Sequence, residues 1–184
     1  MSLNLSTLAM LLGLGVSVPN FLGLLNPKAF ASTAQKFSRS TVPGYILVLL
    51  GTVWFVYNVK VEPIADFESL KPTLFTLFAA VGIGTCIFVQ DFIAVRGFAV
   101  VLLLLAKLMV DTARWHPSEW RLVIVVWAYV LVFLGMWFTI SPWRMRDLLN
   151  WATADEKRVR VGSAVRLAFG VFVFVLGMTA FRAS

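Results

Sequence analysis

Six stretches of the chain, at about 4–25, 44–60, 72–90, 97–112, 119–140 and 162–182, are each long and apolar enough to be read as a membrane-crossing helix. The hydrocarbon core of a bilayer is roughly 30 Å thick and takes about 20 mostly apolar residues to cross, with about 17 tolerable. Inside it every backbone amide must be paired within the protein, so runs of this kind are expected to be helical. A mean hydropathy of +0.87 with 14% charged residues over 184 positions is far from soluble composition. The expected fold is therefore an all-α membrane protein, a bundle of about six transmembrane helices. Pro19-Asn20 is expected to kink or split the first span. The second is short and relies on Tyr45 and Tyr57 at opposite interfaces, and the third has no charge between Lys71 and Asp91.

The opening "MSLNLSTLAMLLGLGVSVPN" lacks the basic segment and the small-x-small site of a cleaved signal, and reads as a retained first span. The one cysteine, Cys86, lies inside an apolar run. No disulfide can form within the chain, and the residue reads as small apolar packing.

Six crossings divide the connections between two faces. One receives 26–43, 91–96 and 141–161, with Lys28, Lys36, Arg39, Arg96, Arg144, Arg146, Lys157, Arg158 and Arg160. The other receives Lys60, Lys71 and Arg114, with Arg121 and Arg182 at span ends. Basic residues collect on the cytoplasmic side. The first face is therefore expected to be cytoplasmic and both termini external. The excess of 16 Lys and Arg over 9 Asp and Glu then reflects anionic lipid headgroups, and nucleic acid is not expected as a partner. Trp115, Trp120, Trp143 and Trp151 lie near span ends, at the headgroup level that tryptophan prefers.

"SPWRMRDLLNWATADEKRVRVG" holds eight of the 25 charged side chains between two apolar runs. Ser141 is an N-cap residue and Pro142 suits the first helical position, so a new helix starts there. Met145, Leu148, Leu149 and Ala152 follow at +3, +6, +7 and +10, one apolar stripe, with Arg146, Asp147 and Asn150 facing the other way. This is the pattern of a helix lying in the membrane interface. Asn26-Pro27 opens a second copy, with Phe30, Thr33, Ala34 and Phe37 at the same spacings. Each copy follows a span containing "FLG", runs through a basic end to Gly44 or Gly162, and enters a span with a central glycine, Gly51 or Gly170. The expected layout is one integral membrane domain. It comprises a span, surface helix and span over 1–60, a plain hairpin over 72–112, and a second span, surface helix and span over 119–184, a parallel internal repeat.

"LGLLNPKAF", followed by an amphipathic stretch and a glycine-containing span, resembles the small bacterial inner-membrane proteins of the YjeT type, which have a span, a Pro-basic-aromatic turn and a second span. "TISPWRMRDLL" is similar to that turn, with Trp143 where the family has a basic residue. The resemblance covers roughly the first 60 and last 50 residues. It implies the bacterial inner membrane and carries no activity over.

Little in the chain points to chemistry. His116, the one histidine, sits in a short external loop without ligands at zinc spacing, so no metal and no cofactor are expected. Lys107 is the one formal charge well inside an apolar run, and is expected to snorkel outward and pair with Asp111. Asp91 and Arg96 bracket a short turn, where an ion pair is expected. Small residues recur at four-residue spacing, as Ala9, Gly13 and Ser17 and as Thr76, Ala80 and Gly84, in faces that let helices approach closely or dock a partner.

Three functions fit. The first is a non-catalytic structural or accessory subunit that packs against other membrane proteins, or its own copies, or organises lipid. Its lipid or partner surface would comprise Lys28, Lys36, Arg39, Trp143, Arg144, Arg146, Asp147, Trp151, Lys157, Arg158 and Arg160, and its helix-packing positions Gly13, Ser17, Ala80 and Gly84. The second is a small-solute or ion transporter using Asn20, Asp91, Arg96, Lys107 and Asp111. The third is a lipid-headgroup enzyme with Arg144, Arg146 and Asp147 as a phosphate site.

Overall fold

A computed structural model describes residues 4–62, 65–89 and 91–182, the side chains of 65–67 excepted. Among them the fold is all-α, with no strand. The elements run α1 (Leu5–Leu25), α2 (Pro27–Phe37), α3 (Thr41–Val61), a 3-10 turn (Ala65–Leu70), α4 (Lys71–Phe88), α5 (Ile93–Ala113), α6 (Arg121–Ile140), α7 (Pro142–Ala152) and α8 (Glu156–Met178). Six of these, α1, α3, α4, α5, α6 and α8, are long and apolar enough to cross a bilayer. The chain is a multi-pass membrane protein.

The two short helices begin at the two prolines and run 11 residues each. The Asn26 side chain accepts the Ala29 N–H at 3.2 Å, so Asn26 caps α2. Four boundaries recur at one offset: Leu25 and Ile140, Pro27 and Pro142, Phe37 and Ala152, Thr41 and Glu156 each stand 115 residues apart (142 less 27 for the prolines). Across α2 and α7 only that proline is identical. The recurrence therefore lies in helix punctuation and hardly in side-chain identity.

Three expectations need correction. Pro19 does not split α1, which is one helix of 21 residues. The proline has no N–H for the carbonyl of Gly15 but leaves the rest of the ladder intact. The last span starts six residues earlier than its apolar run, at Glu156, so Lys157, Arg158 and Arg160 stand on α8 itself. Nothing breaks a helix between 156 and 162, Lys and Arg are good helix formers, and Glu156 favours the positive N-terminal end. The surface stripes are also narrower than expected. Thr33 and Leu148 are exposed, while Phe30, Ala34 and Phe37 on α2 and Met145, Leu149 and Ala152 on α7 are at least half-buried. Gln90, the last residue of the expected third span, and residues 1–3 and 183–184 lie outside the described residues.

The chain packs as two compact units. The first comprises Met1–Lys36, Leu105–Leu131 and Arg146–Ser184, and the second Phe37–Leu104 and Val132–Met145.

In the first unit α1 and α8 form an antiparallel pair built on residues seven apart in each helix. Ser6 lies against Gly177, and Gly13 against Gly170. The Ser6 hydroxyl donates to the Gly177 carbonyl at 2.7 Å, out of contact with solvent. A Cβ on Gly13 would stand 2.7 Å from both the Gly170 carbonyl oxygen and the Phe174 nitrogen. The backbones touch, and that contact is what small residues permit between apolar helices. The same register puts buried Asn20 opposite buried Ser163.

In the second unit α5 carries a run of fully buried residues, Ile93, Ala94, Val95 and Ala99. α3 lies parallel to it. Gly44 faces Ile93 and Ala94, Gly97 faces Leu47 and Val48, and Gly51 faces Val100, a constant offset near 49. α4 runs antiparallel to α3, with Gly82 on Thr52 and Phe55 edge-on to Phe78 at 4.6 Å. These directions, α3 with α5 and against α4, and α1 against α8, are those that successive crossings require. Phe92, in the turn before α5, takes the left-handed conformation at φ 54°. Its carbonyl accepts the N–H groups of Val95 and Arg96.

Candidate functional site

The polar surface of the first unit gathers α2, the greater part of α7 and the first turns of α8. Lys28 Nζ lies 3.3 Å from Glu156 Oε1, Gln35 Nε2 donates to Thr153 Oγ1 at 2.8 Å, and Arg160 reaches Glu156 at 4.0 Å. The first contact ties α2 to the start of α8, the second ties α2 to the residue that follows α7, and the third lies within α8. The partners of the Lys28–Glu156 pair are 82% and 46% exposed, so it fixes geometry more than it stabilises. Arg146 forks onto the Asp147 carboxylate at 3.0 and 3.1 Å. Arg158 lies over the Trp151 ring, 5.4 Å from its centre, and donates to the Trp151 carbonyl at 3.4 Å.

Beside this stack is a concavity of about 430 Å³ lined by Trp151, Asp155, Lys157, Arg158, Gly162 and Arg166. Arg166 folds back along α8, its Nε donating to the Gly162 carbonyl at 3.0 Å. Three cations therefore face one carboxylate across the hollow. Of the other surface candidates, Lys36, Arg39, Trp143, Arg144, Asp147 and Arg160 are all exposed, and none of them lines the hollow.

The residues considered for transport do not gather at one place. Asn20 is buried in the α1–α8 pair, where its amide donates to the Val16 carbonyl at 2.7 Å and its Oδ1 has no partner. Ser17 Oγ and Ser163 Oγ are buried without partners in the same pair. Lys107 pairs with Asp111 one turn on, both side chains near two-fifths exposed. Arg96 reaches the backbone carbonyl of Asp91, at 3.4 Å, where a carboxylate partner was expected; at that length the bond is weak. His116 accepts the Ser118 N–H at 3.2 Å and sits edge-on to Phe181 at 5.3 Å. It borders a polar cavity of about 340 Å³ with Asn4, Thr7 and Arg182. Among the described residues no group of His, Cys, Asp and Glu is placed to hold a metal ion.

The small-residue faces behave differently from each other. Gly13 packs backbone to backbone on α8, and Ser17 meets Gly170. A Cβ on Gly84 would meet nothing within 4 Å, and Ala80 is exposed. On α4 the inward glycine is Gly82. The residues that the spacing rule overlooked are Ser6, Gly170 and Gly177. The seven-residue interval between Gly170 and Gly177, matched by Ser6 and Gly13, is the signal that would have found them.

The unpartnered Ser163 hydroxyl supports a prediction. A buried polar atom without a hydrogen bond costs about 1–3 kcal/mol. Ser163→Ala is expected to stabilise the protein by about 1 kcal/mol, seen as a raised thermal midpoint in detergent. A lowered midpoint would show that the hydroxyl is satisfied in the folded protein.

Comparison with protein-family models, with curated proteins and with solved structures finds no match for this chain.

Proposed function

We propose that this multi-pass membrane protein is a non-catalytic structural or accessory subunit of a bacterial inner membrane that packs against other membrane proteins or organises lipid. In this reading the surface bearing α2 and α7 faces the cytoplasm and both termini are external.

The observation that carries the reading is the state of α4. Its one buried residue is Gly82, and it leaves Leu77, Val81, Ile83, Ile87 and Phe88 exposed, the last at 84%. Ala80 and Gly84 share the helix with nothing packed on Gly84. Lipid tails are as apolar as these side chains, so exposure alone is compatible with bilayer. The open small-residue positions add a place where a second backbone could come close.

Gly84→Leu tests this. The fold of the chain should be unchanged, because a Cβ at this position meets nothing within 4 Å. A docked helix would be displaced, and the partner recovered with the protein from native membranes should fall at least tenfold, the equivalent of about 1.4 kcal/mol. Undiminished recovery of the partner would remove α4 as the docking face.

A further inference from the structure

We infer that the hollow between the end of α7 and the start of α8 is a binding site for one anionic phospholipid, its phosphate seated at Gly162 between Arg158 and Arg166. The inference rests on the lipid part of the function proposed above and names the ligand.

Arg158 and Arg166 stand one turn before and one turn after Gly162 on α8 and line the same hollow, with Lys157 beside them. Gly162 is what lets the Arg166 guanidinium fold back onto the helix. A Cβ there would meet only the Arg166 guanidinium, with Nη2 at 2.8 Å. Arg166 donates through Nε to the Gly162 carbonyl, which leaves its terminal nitrogens available to an anion. Arg158 is positioned over the Trp151 ring, with a weak, long hydrogen bond to its carbonyl. Neither Lys157 nor Arg166 has a carboxylate partner among the ion pairs of the described residues, whereas Glu156 is engaged by Lys28 and Arg160. Asp155 is the one acidic group at the rim, and three cations outweigh it. Guanidinium groups in this arrangement suit phosphate oxygens.

The chemistry of the surroundings selects a lipid over a soluble phosphate. From the hollow an exposed apolar column continues along α8 into the span, through Val161 at 56%, Val165 at 65% and Phe172 at 41%. It would lie along an acyl chain whose headgroup is at Gly162. Trp151, at 64% exposure, belongs at that same headgroup level.

The test is native mass spectrometry of the full chain in detergent, titrated with phosphatidylglycerol and with phosphatidylcholine of the same acyl chains. One phosphatidylglycerol should be retained in preference to phosphatidylcholine. Arg166→Gln should weaken its retention about fivefold, the effect of one basic residue near an anionic surface. Gly162→Ala should weaken it too, by displacing the guanidinium, while its thermal midpoint holds or rises because alanine is the better helix former. That opposition separates loss of the site from loss of the fold. Equal retention of both lipids, unchanged retention in both variants, or displacement by millimolar glycerol phosphate would each overturn the proposal. A partner protein in the native particle with no such lipid preference would remove this site and leave the accessory role standing.

Discussion

Gly13→Leu is expected to lower the thermal midpoint of the detergent-extracted protein by roughly 6–12 °C, from a cost near 3 kcal/mol, or to prevent its recovery in a monodisperse state. The added side chain would enter the contact between α1 and α8, where Gly170 and Phe174 present backbone atoms at 2.7 Å. Backbone cannot rotate aside as a side chain can, so the helices must separate. Separation would also break the Ser6 to Gly177 hydrogen bond. The comparison that makes the result specific is Gly15→Leu, two residues along the same helix, where a Cβ meets nothing within 4 Å. That variant should melt within about 2 °C of the parent, since surface changes lie within ±0.5 kcal/mol. Equal loss in both variants would show that the glycines matter to the helix itself and not to the pair.

Gly44→Leu is expected to have a comparable effect on the second unit. Its Cβ would stand 2.7 Å from the Ala94 nitrogen and 3.0 Å from the Ile93 carbonyl carbon, at the point where α3 enters its contact with α5. Overpacking there costs about 1–3 kcal/mol, and the presence of backbone on the far side puts this case near the top of that range. Gly84→Leu in the same unit is the matched control and should leave the midpoint unchanged. Thermal melts of the two variants, followed by size-exclusion chromatography in one detergent, check the pair directly. A Gly44→Leu protein as stable as the parent would mean that α3 and α5 are not in contact.

Much of the local architecture was legible in the residues because helix punctuation is local. Asn26-Pro27 and Ser141-Pro142 place the starts of α2 and α7 to the residue, and hydropathy finds all six long helices. The start of α8 was not legible from hydropathy, since a basic segment can continue a helix beyond its apolar run. Pairing was harder still. Gly13 is visible as a small residue, but its partner Gly170 lies 157 positions away (170 less 13), and only two seven-residue spacings read together reveal the register. Gly82 and Gly84 show the same difficulty within three residues. Gly84 fits the four-residue small pattern and Gly82 does not, yet they point to different sides of α4, and only Gly82 packs. The hollow at Gly162 depends on Arg166 folding back over the glycine, a rotamer choice that no spacing rule encodes.

On the function proposed above, the protein works by packing with other membrane proteins. The most direct measurement is the mass and composition of the particle extracted in mild detergent from its native membrane, without overexpression. A stoichiometric complex with a different membrane protein is expected. A lone monomer, or an assembly of this chain alone, would contradict it and place solute or ion transport first.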